Sequence, residues 1–285
     1  MPPKSVDPLQ FLTTATVAIV AGKGGVGKTT VTAVLARAAI RRGLRVLVVE
    51  LDGKPTMAGL LPGVEVQQLS ATAALAEYLD THGLSRVTKR LASRGIIDVV
   101  ATASPGIDDI VVLGKIKQLE RSGAYDLIVV DGPAAGHAIT FLLAAKSLLG
   151  SVRGGPIHSQ ATEVAAMLAD PARCQVVLVA LPETTPINEA VETAYALEER
   201  VGVHLGPIVV NGVDSGPSLV ADKAPEGSPM RLAAEFRNAR RDMHEDECIR
   251  LGHELALPQL ILPIVAGSHL TADAVEALAD EWAPR

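Results

Sequence analysis

Aromatic side chains are scarce in this chain of 285 residues, which has one Trp, three Tyr and three Phe. Proteins that hold single-stranded nucleic acid stack bases on aromatic platforms, and so few rings offer little of that surface. A net charge of −6 and a pI near 5.7 argue equally against wrapping DNA, so nucleic acid is not an expected partner. Cysteine is nearly absent as well. Cys174 and Cys248 stand far apart with no Cys-x-x-Cys, which excludes a disulfide scaffold or a four-thiolate zinc site within one chain. Both read as small buried or neutral residues. No run reaches the roughly eighteen uninterrupted apolar residues of a membrane-spanning helix. The Pro-Pro-Lys-Ser start also lacks the apolar core of a signal peptide, so a cytoplasmic location is expected.

What the chain has in quantity is small aliphatic residues. A hydrophobic share of 48% and a mean hydropathy of +0.29 supply a sizeable core. Built from Val, Leu, Ile and Ala, such a core suits parallel strands buried on both faces. Residues 1–13 read as a flexible N-terminal lead and 14–285 as a single domain. Strands are predicted at 15–21, 45–52, 98–103, 127–131, 175–181, 207–211 and 260–264. Helical periodicity runs through 31–39, 66–94, 107–121, 138–149, 162–168, 188–200 and 272–282, giving a reduced helical layer within about 66–125. A loop followed by an amphipathic helix is predicted for 214–256, with Leu232, Phe236, Ala239 and Met243 as an apolar stripe packed on the domain's own core. Strands alternating with helices imply an α/β fold, a doubly wound, mostly parallel sheet flanked by helices.

The most specific signal is Gly22-Lys23-Gly24-Gly25-Val26-Gly27-Lys28-Thr29-Thr30. A glycine-rich turn between a buried strand and a helix points successive backbone N–H groups inward as an anion nest, and the helix adds its positive end. The turn from Gly24, Gly25, Val26 and Gly27 to Thr30 is therefore read as a nucleotide cradle for ATP. Lys28 reaches the β- and γ-phosphates in such a loop, and the Thr29 hydroxyl ligates Mg²⁺. Carboxylates fall at the ends of two predicted strands, where ligands of open α/β sheets bind. Asp131 fits a carboxylate of the Mg²⁺ shell, acting through water, and Asp52 is suited to orient or partly deprotonate an attacking water.

Lys23, placed ahead of the paired glycines, makes the loop resemble the deviant P-loop, or deviant Walker A motif, of the dimerising ATPases related to the MinD, ParA and ArsA families. The resemblance implies that Lys23 crosses a dimer interface to the partner's nucleotide, in the manner of an arginine finger. The segment Asp131-Gly132-Pro133-Ala134-Ala135-Gly136-His137 looks like switch II of the ArsA-type ATPases. These include arsenite-pump ATPases and ATPases that deliver tail-anchored membrane proteins. The family commonly reads Asp-Thr-Ala-Pro-Thr-Gly-His there, so the ends match and the middle departs. By the same resemblance Asp52 is the water-positioning switch I residue, Asn211 contacts adenine, and Gly136 and His137 belong to switch II; there His137 reads either as a reporter of the γ-phosphate to the following helix or as a hydrogen-bonded structural histidine. Around Asp52 the chain has Gly53-Lys54-Pro55 where the family commonly has Pro-Ala-His. The implied activity is Mg²⁺-dependent ATP hydrolysis that opens and closes a homodimer, or a heterodimer with a related subunit, acting on a client protein or partner subunit. Two alternatives stay open: the energising subunit of an arsenite-type anion efflux system, and a non-hydrolysing ATP-sensing scaffold of the MinD or ParA kind. The histidines other than His137 show no ligand spacing, and no metal is assigned to them.

Overall fold

Seven short runs, most of them apolar, become strands, and every strand pair among the described residues is parallel. The computed structural model describes residues 9–51, 56–81, 106–265, 267 and 269–282. In chain order the first half comprises α1 (Phe11–Thr14), β1 (Val17–Gly22), α2 (Lys28–Arg41), β2 (Val46–Leu51), α3 (Met57–Leu60), β3 (Glu65–Leu69), α4 (Ala71–Thr81), α5 (Ile107–Arg121) and β4 (Leu127–Ala134). The second half comprises α6 (Ala135–Ser151), α7 (Pro156–Leu168), β5 (Cys174–Ala180), α8 (Thr184–Ala196), β6 (Ile208–Val213), α9 (Pro229–Glu254), β7 (Gln259–Pro263) and α10 (Ala272–Glu281). The sheet order is β3-β2-β4-β1-β5-β6-β7.

Alternation along the central strands divides the core into two layers. Val17, Ile19 and Ala21 of β1, with Ile128 and Val130 of β4, face a layer completed by α5, α6, α7 and α8. Ala18 and Val20, with Leu127 and Val129, face the opposite layer, which α2 and α10 cover. A strand buried on both faces takes a polar side chain only where that group finds partners, and that is why these runs read as nearly continuous Val, Ile, Leu and Ala. Each fully buried side chain of this size contributes about 1.5–3 kcal/mol relative to exposure. The arrangement brings the carboxyl ends of β1, β2 and β4 side by side, with Val20, Asp131 and Glu50 in register.

Three expectations need correction. Residues 66–69, read as helical, belong to β3; the segment Glu65-Val66-Gln67-Gln68-Leu69 is the sheet's edge and pairs only with β2, so it can be polar. The end of the expected lead is not loose, because Leu9, Phe11 and Leu12 are buried in the layer under α2 and Arg42 donates to the Leu9 carbonyl at 2.9 Å. The stripe Leu232, Phe236, Ala239 and Met243 of α9 is exposed rather than packed on the core. The predicted strand at 98–103 and the helical pattern at 82–94 lie outside the described residues.

Candidate nucleotide-binding site

Between β1 and α2 the chain turns through Gly25 at φ 86° and Gly27 at φ 90°, left-handed conformations that side-chain-bearing residues rarely adopt. A Cβ built on Gly24 or Gly25 meets nothing within 4 Å, so the turn is unobstructed at these two positions. Gly27 has a second reason to lack a side chain, since a Cβ there would stand 2.2 Å from Asn211 Nδ2. Asn211, near the carboxyl end of β6, donates from that nitrogen to the Val26 carbonyl at 2.8 Å and so braces the turn from the neighbouring strands.

Lys28 opens α2 and folds back, its Nζ donating to the Lys23 carbonyl at 3.1 Å. Partial burial lowers its pKa, and Asp131 opposes that shift. The Thr29 hydroxyl donates to Asp131 Oδ2 at 2.8 Å, and the fully buried Thr32, one turn on along α2, donates to Oδ1 at 3.4 Å. Burial raises the Asp131 pKa. The Thr29 hydrogen bond, Lys28 and Thr32 pull it back, while Glu50 on β2 adds to the rise. A half-sheltered carboxylate among hydroxyls, opposite a lysine, is a site that gains from an added cation.

Lys23, half exposed, forms an ion pair with Glu189 of α8 in its own chain. His137, in the first turn of α6, is exposed; its Nδ1 lies 3.2 Å from the Thr140 hydroxyl and its Nε2 lies 3.8 Å from Asp109 Oδ1 on α5. Gly136 beside it is exposed with open space around it. Gly132, just after Asp131, is confined: a Cβ would stand 2.3 Å from the Val20 carbonyl. The structure thus brings Gly24 to Thr30, Asp131 and Asn211 together, and sets Gly136 and His137 on the helix that follows. Asp52, with Gly53 to Pro55, lies outside the described residues.

Sequence reasoning missed three residues here. Glu50 is buried and its Oε1 accepts from the backbone N–H groups of Thr56 at 3.1 Å and Met57 at 3.0 Å, so it holds the start of α3 against the end of β2. Its signal was a charge interrupting the apolar run Val46-Leu47-Val48-Val49-Glu50-Leu51. Thr32 was signalled by its place three residues after Thr29 on one helix face. Glu189 had no local signal.

With this geometry in hand, comparison with known proteins is specific. The anion-transporting ATPase family matches residues 15–152, from just before β1 through α6. The ATPase BagA of Mycobacterium tuberculosis is 32% identical over 220 aligned positions, covering 68% of this chain and 64% of that protein. The chain belongs to the ArsA-type ATPase family. Within that family an arsenical pump-driving ATPase of Acidiphilium multivorum is 29% identical over 237 positions, covering 77% of this chain and 39% of that protein. One of Escherichia coli is 28% identical over 237 positions, with the same coverages. This chain therefore spans just under two thirds of the BagA length and well under half of the pump-driving relatives. Among the described residues of this ArsA-type chain no helix is long and apolar enough to cross a membrane.

Proposed function

We propose that this ArsA-type chain is a Mg²⁺-dependent ATPase that works in pairs. In this reading ATP closes two subunits on each other, hydrolysis lets them part, and the movement acts on a client protein or a partner subunit. The observation that carries the reading is the convergence of the Thr29 hydroxyl and the Asp131 carboxylate, from separate elements, beside the open Gly24–Thr30 turn. Hydroxyl and carboxylate oxygens are hard donors of the kind Mg²⁺ takes, and burial, which raises the Asp131 pKa, disfavours a charge that an added cation would stabilise. Bound Mg²⁺ would neutralise charge on the β- and γ-phosphates.

The chain's own residues divide the remaining work. Backbone N–H groups of the Gly24–Thr30 turn hold the phosphates, and Lys28 exchanges the Lys23 carbonyl for phosphate oxygens. Asp52 orients the attacking water, Asn211 braces the turn and meets the base, and Gly136 with His137 passes the state of the γ-phosphate to α6. Lys23 exchanges Glu189 for the partner's nucleotide, where its charge offsets that of the transferring phosphoryl group. Glu189 competes with that crossing until a partner docks.

Hydrolysis rate measured against protein concentration, with size followed by light scattering in ATP and in ADP, tests the reading. The specific rate is expected to climb with concentration, ATP to favour dimers, Lys23→Ala to lose turnover while still binding ATP, and Lys28→Ala to lose binding as well. Turnover by a monomer, unaffected by Lys23→Ala, would overturn the two-subunit mechanism. Binding without turnover would favour an ATP-sensing scaffold.

A second reading, an energising subunit for arsenite-type efflux, is favoured by the names of the pump-driving relatives. The thiols speak against it. Cys174 is fully buried at the start of β5 with its pKa pushed up to about 12, and burial also raises that of Cys248 on α9. Thiols on separate elements, one of them buried and both held toward the protonated form, are poor ligands for a metalloid. Turnover unchanged by added arsenite or antimonite is the expected result.

A further inference from the structure

Helices α4, α5 and α7, packed on one face of the sheet, border a cavity of about 470 Å³ that the nucleotide site does not use. Sites for small molecules have volumes of roughly 300–1,000 Å³. The lining on α5 runs from Val111 to Ser122, just past the end of the helix, and α5 leads into the amino end of β4. The cavity therefore sits toward the amino edge of the sheet, whereas the Gly24–Thr30 turn stands at the carboxyl edge, after β1.

Lys117 of α5 lines this cavity and is only 7% exposed. A buried ammonium is costly unless its three N–H donors are matched. Its Nζ donates to Gln160 Oε1 at 2.8 Å and to Glu163 Oε2 at 2.7 Å, both on α7, and its third donor meets no acceptor among the described residues. The same Glu163 oxygen also accepts from Arg121 at 2.7 Å, so one carboxylate serves two cations. Lys115, one turn of the lining away, is paired with Glu77 of α4. Three cations thus face two carboxylates, which leaves a surplus of one positive charge. Gly114 fits the same arrangement: a Cβ there would stand 1.6 Å from Gln160 Nε2, so a glycine, unfavourable inside a helix, sits where the Gln160 amide crosses to Lys117. The other walls are apolar or aromatic, from Ala74 and Tyr78 of α4 and Val111 of α5.

We propose that the cavity binds a small organic anion, a single carboxylate on an apolar body. The carboxylate takes the third donor of Lys117, and the body lies against Ala74, Tyr78 and Val111. Three features select this chemistry. The volume suits a small molecule rather than a protein segment. The surplus charge and the unmatched donor favour one negative charge over a neutral or cationic ligand. The apolar walls favour a carbon body over an inorganic ion, since burying them against it removes apolar surface from water. The site stands apart from the ATPase reading above and survives its failure.

Calorimetric titration of the full chain with octanoate tests the site, with octanol and inorganic phosphate as probes that each keep one half of the chemistry. Octanoate is expected to bind saturably, one per chain, and the other two at least about tenfold more weakly. Lys117→Met is expected to weaken octanoate by about tenfold or more and to leave octanol unchanged. Ala74→Leu, which narrows the cavity without touching a charge, is expected to weaken both. Circular dichroism and binding of a fluorescent ATP analogue are expected to be unchanged in either variant. Glu163 keeps Arg121 as a partner when Lys117 is replaced; should Lys117→Met still fail to fold, Ala74→Leu carries the test. Octanoate that does not bind wild type, or that binds both variants as well as wild type, overturns the proposal. Octanol binding as tightly as octanoate overturns the role of Lys117, and phosphate doing so overturns the apolar body.

Discussion

Gly27 is where two requirements meet in one residue. Its φ of 90° and the 2.2 Å approach that a Cβ would make to Asn211 both forbid a side chain. Gly27→Ala is therefore expected to cost about 1–3 kcal/mol of stability, read by urea titration, and to weaken ATP binding by calorimetry. Adding Asn211→Ala relieves the clash but not the dihedral, so the pair is expected to cost less than the two changes summed. Asp131 is tested through pH. Its folded pKa is raised, so the native state resists the charged form, and ionisation at neutral pH works against the nucleotide-free fold. Asp131→Asn is expected to melt higher than wild type at pH 7 in the absence of ligand. The difference should shrink as pH falls through the folded value and vanish below the ordinary carboxylate value of 3.8; scanning fluorimetry at pH 7 and near pH 4 checks it. These residues were legible because a phosphate nest and its Lys-Thr ending are local in sequence. Glu189 was not legible, because its contact with Lys23 is decided by α8 being brought alongside β1's exit, whereas Glu50 showed only as a charge in an apolar run, with nothing to say that it accepts from the start of α3.

At the scale of elements, periodicity located most helices and strands and misjudged what surrounds them. The helix at Ile107–Arg121 was legible to the residue, since its apolar positions face the core and its neighbour Gly106 takes a left-handed turn. β3 was not, because an edge strand with one partner keeps polar residues that imitate a helical pattern. The stripe on α9 carried a correct helix and an incorrect environment: apolar spacing records that a face is to be covered, not by which molecule. For α1 the error ran the other way. Short and near the chain start, it lacks any repeat to reveal it, yet Leu12 is fully buried in the layer under α2. Leu12→Ala is expected to cost about 2–5 kcal/mol by chemical denaturation, while truncating exposed Thr13 costs little.

Across the whole molecule the alternation of strand and helix was sufficient to read an α/β parallel sheet, but the strand order was not readable, because nothing in the pattern of β1 says that it lies between β4 and β5. That order has a consequence for how the chain comes to be folded. The central strand pairs Val17 with Ile128 on one side and with Cys174 on the other. Among the described residues no hairpin exists that could form early on its own, and every strand contact closes a long loop first. A nascent chain therefore carries its glycine turn, complete in sequence, through synthesis of nearly a hundred further residues before β4 arrives to hold it. Until β5 follows, β1 keeps one bare edge, so the interval most prone to misassociation falls before residue 180, and the phosphate cradle is among the last parts to become rigid although it is among the first to be made.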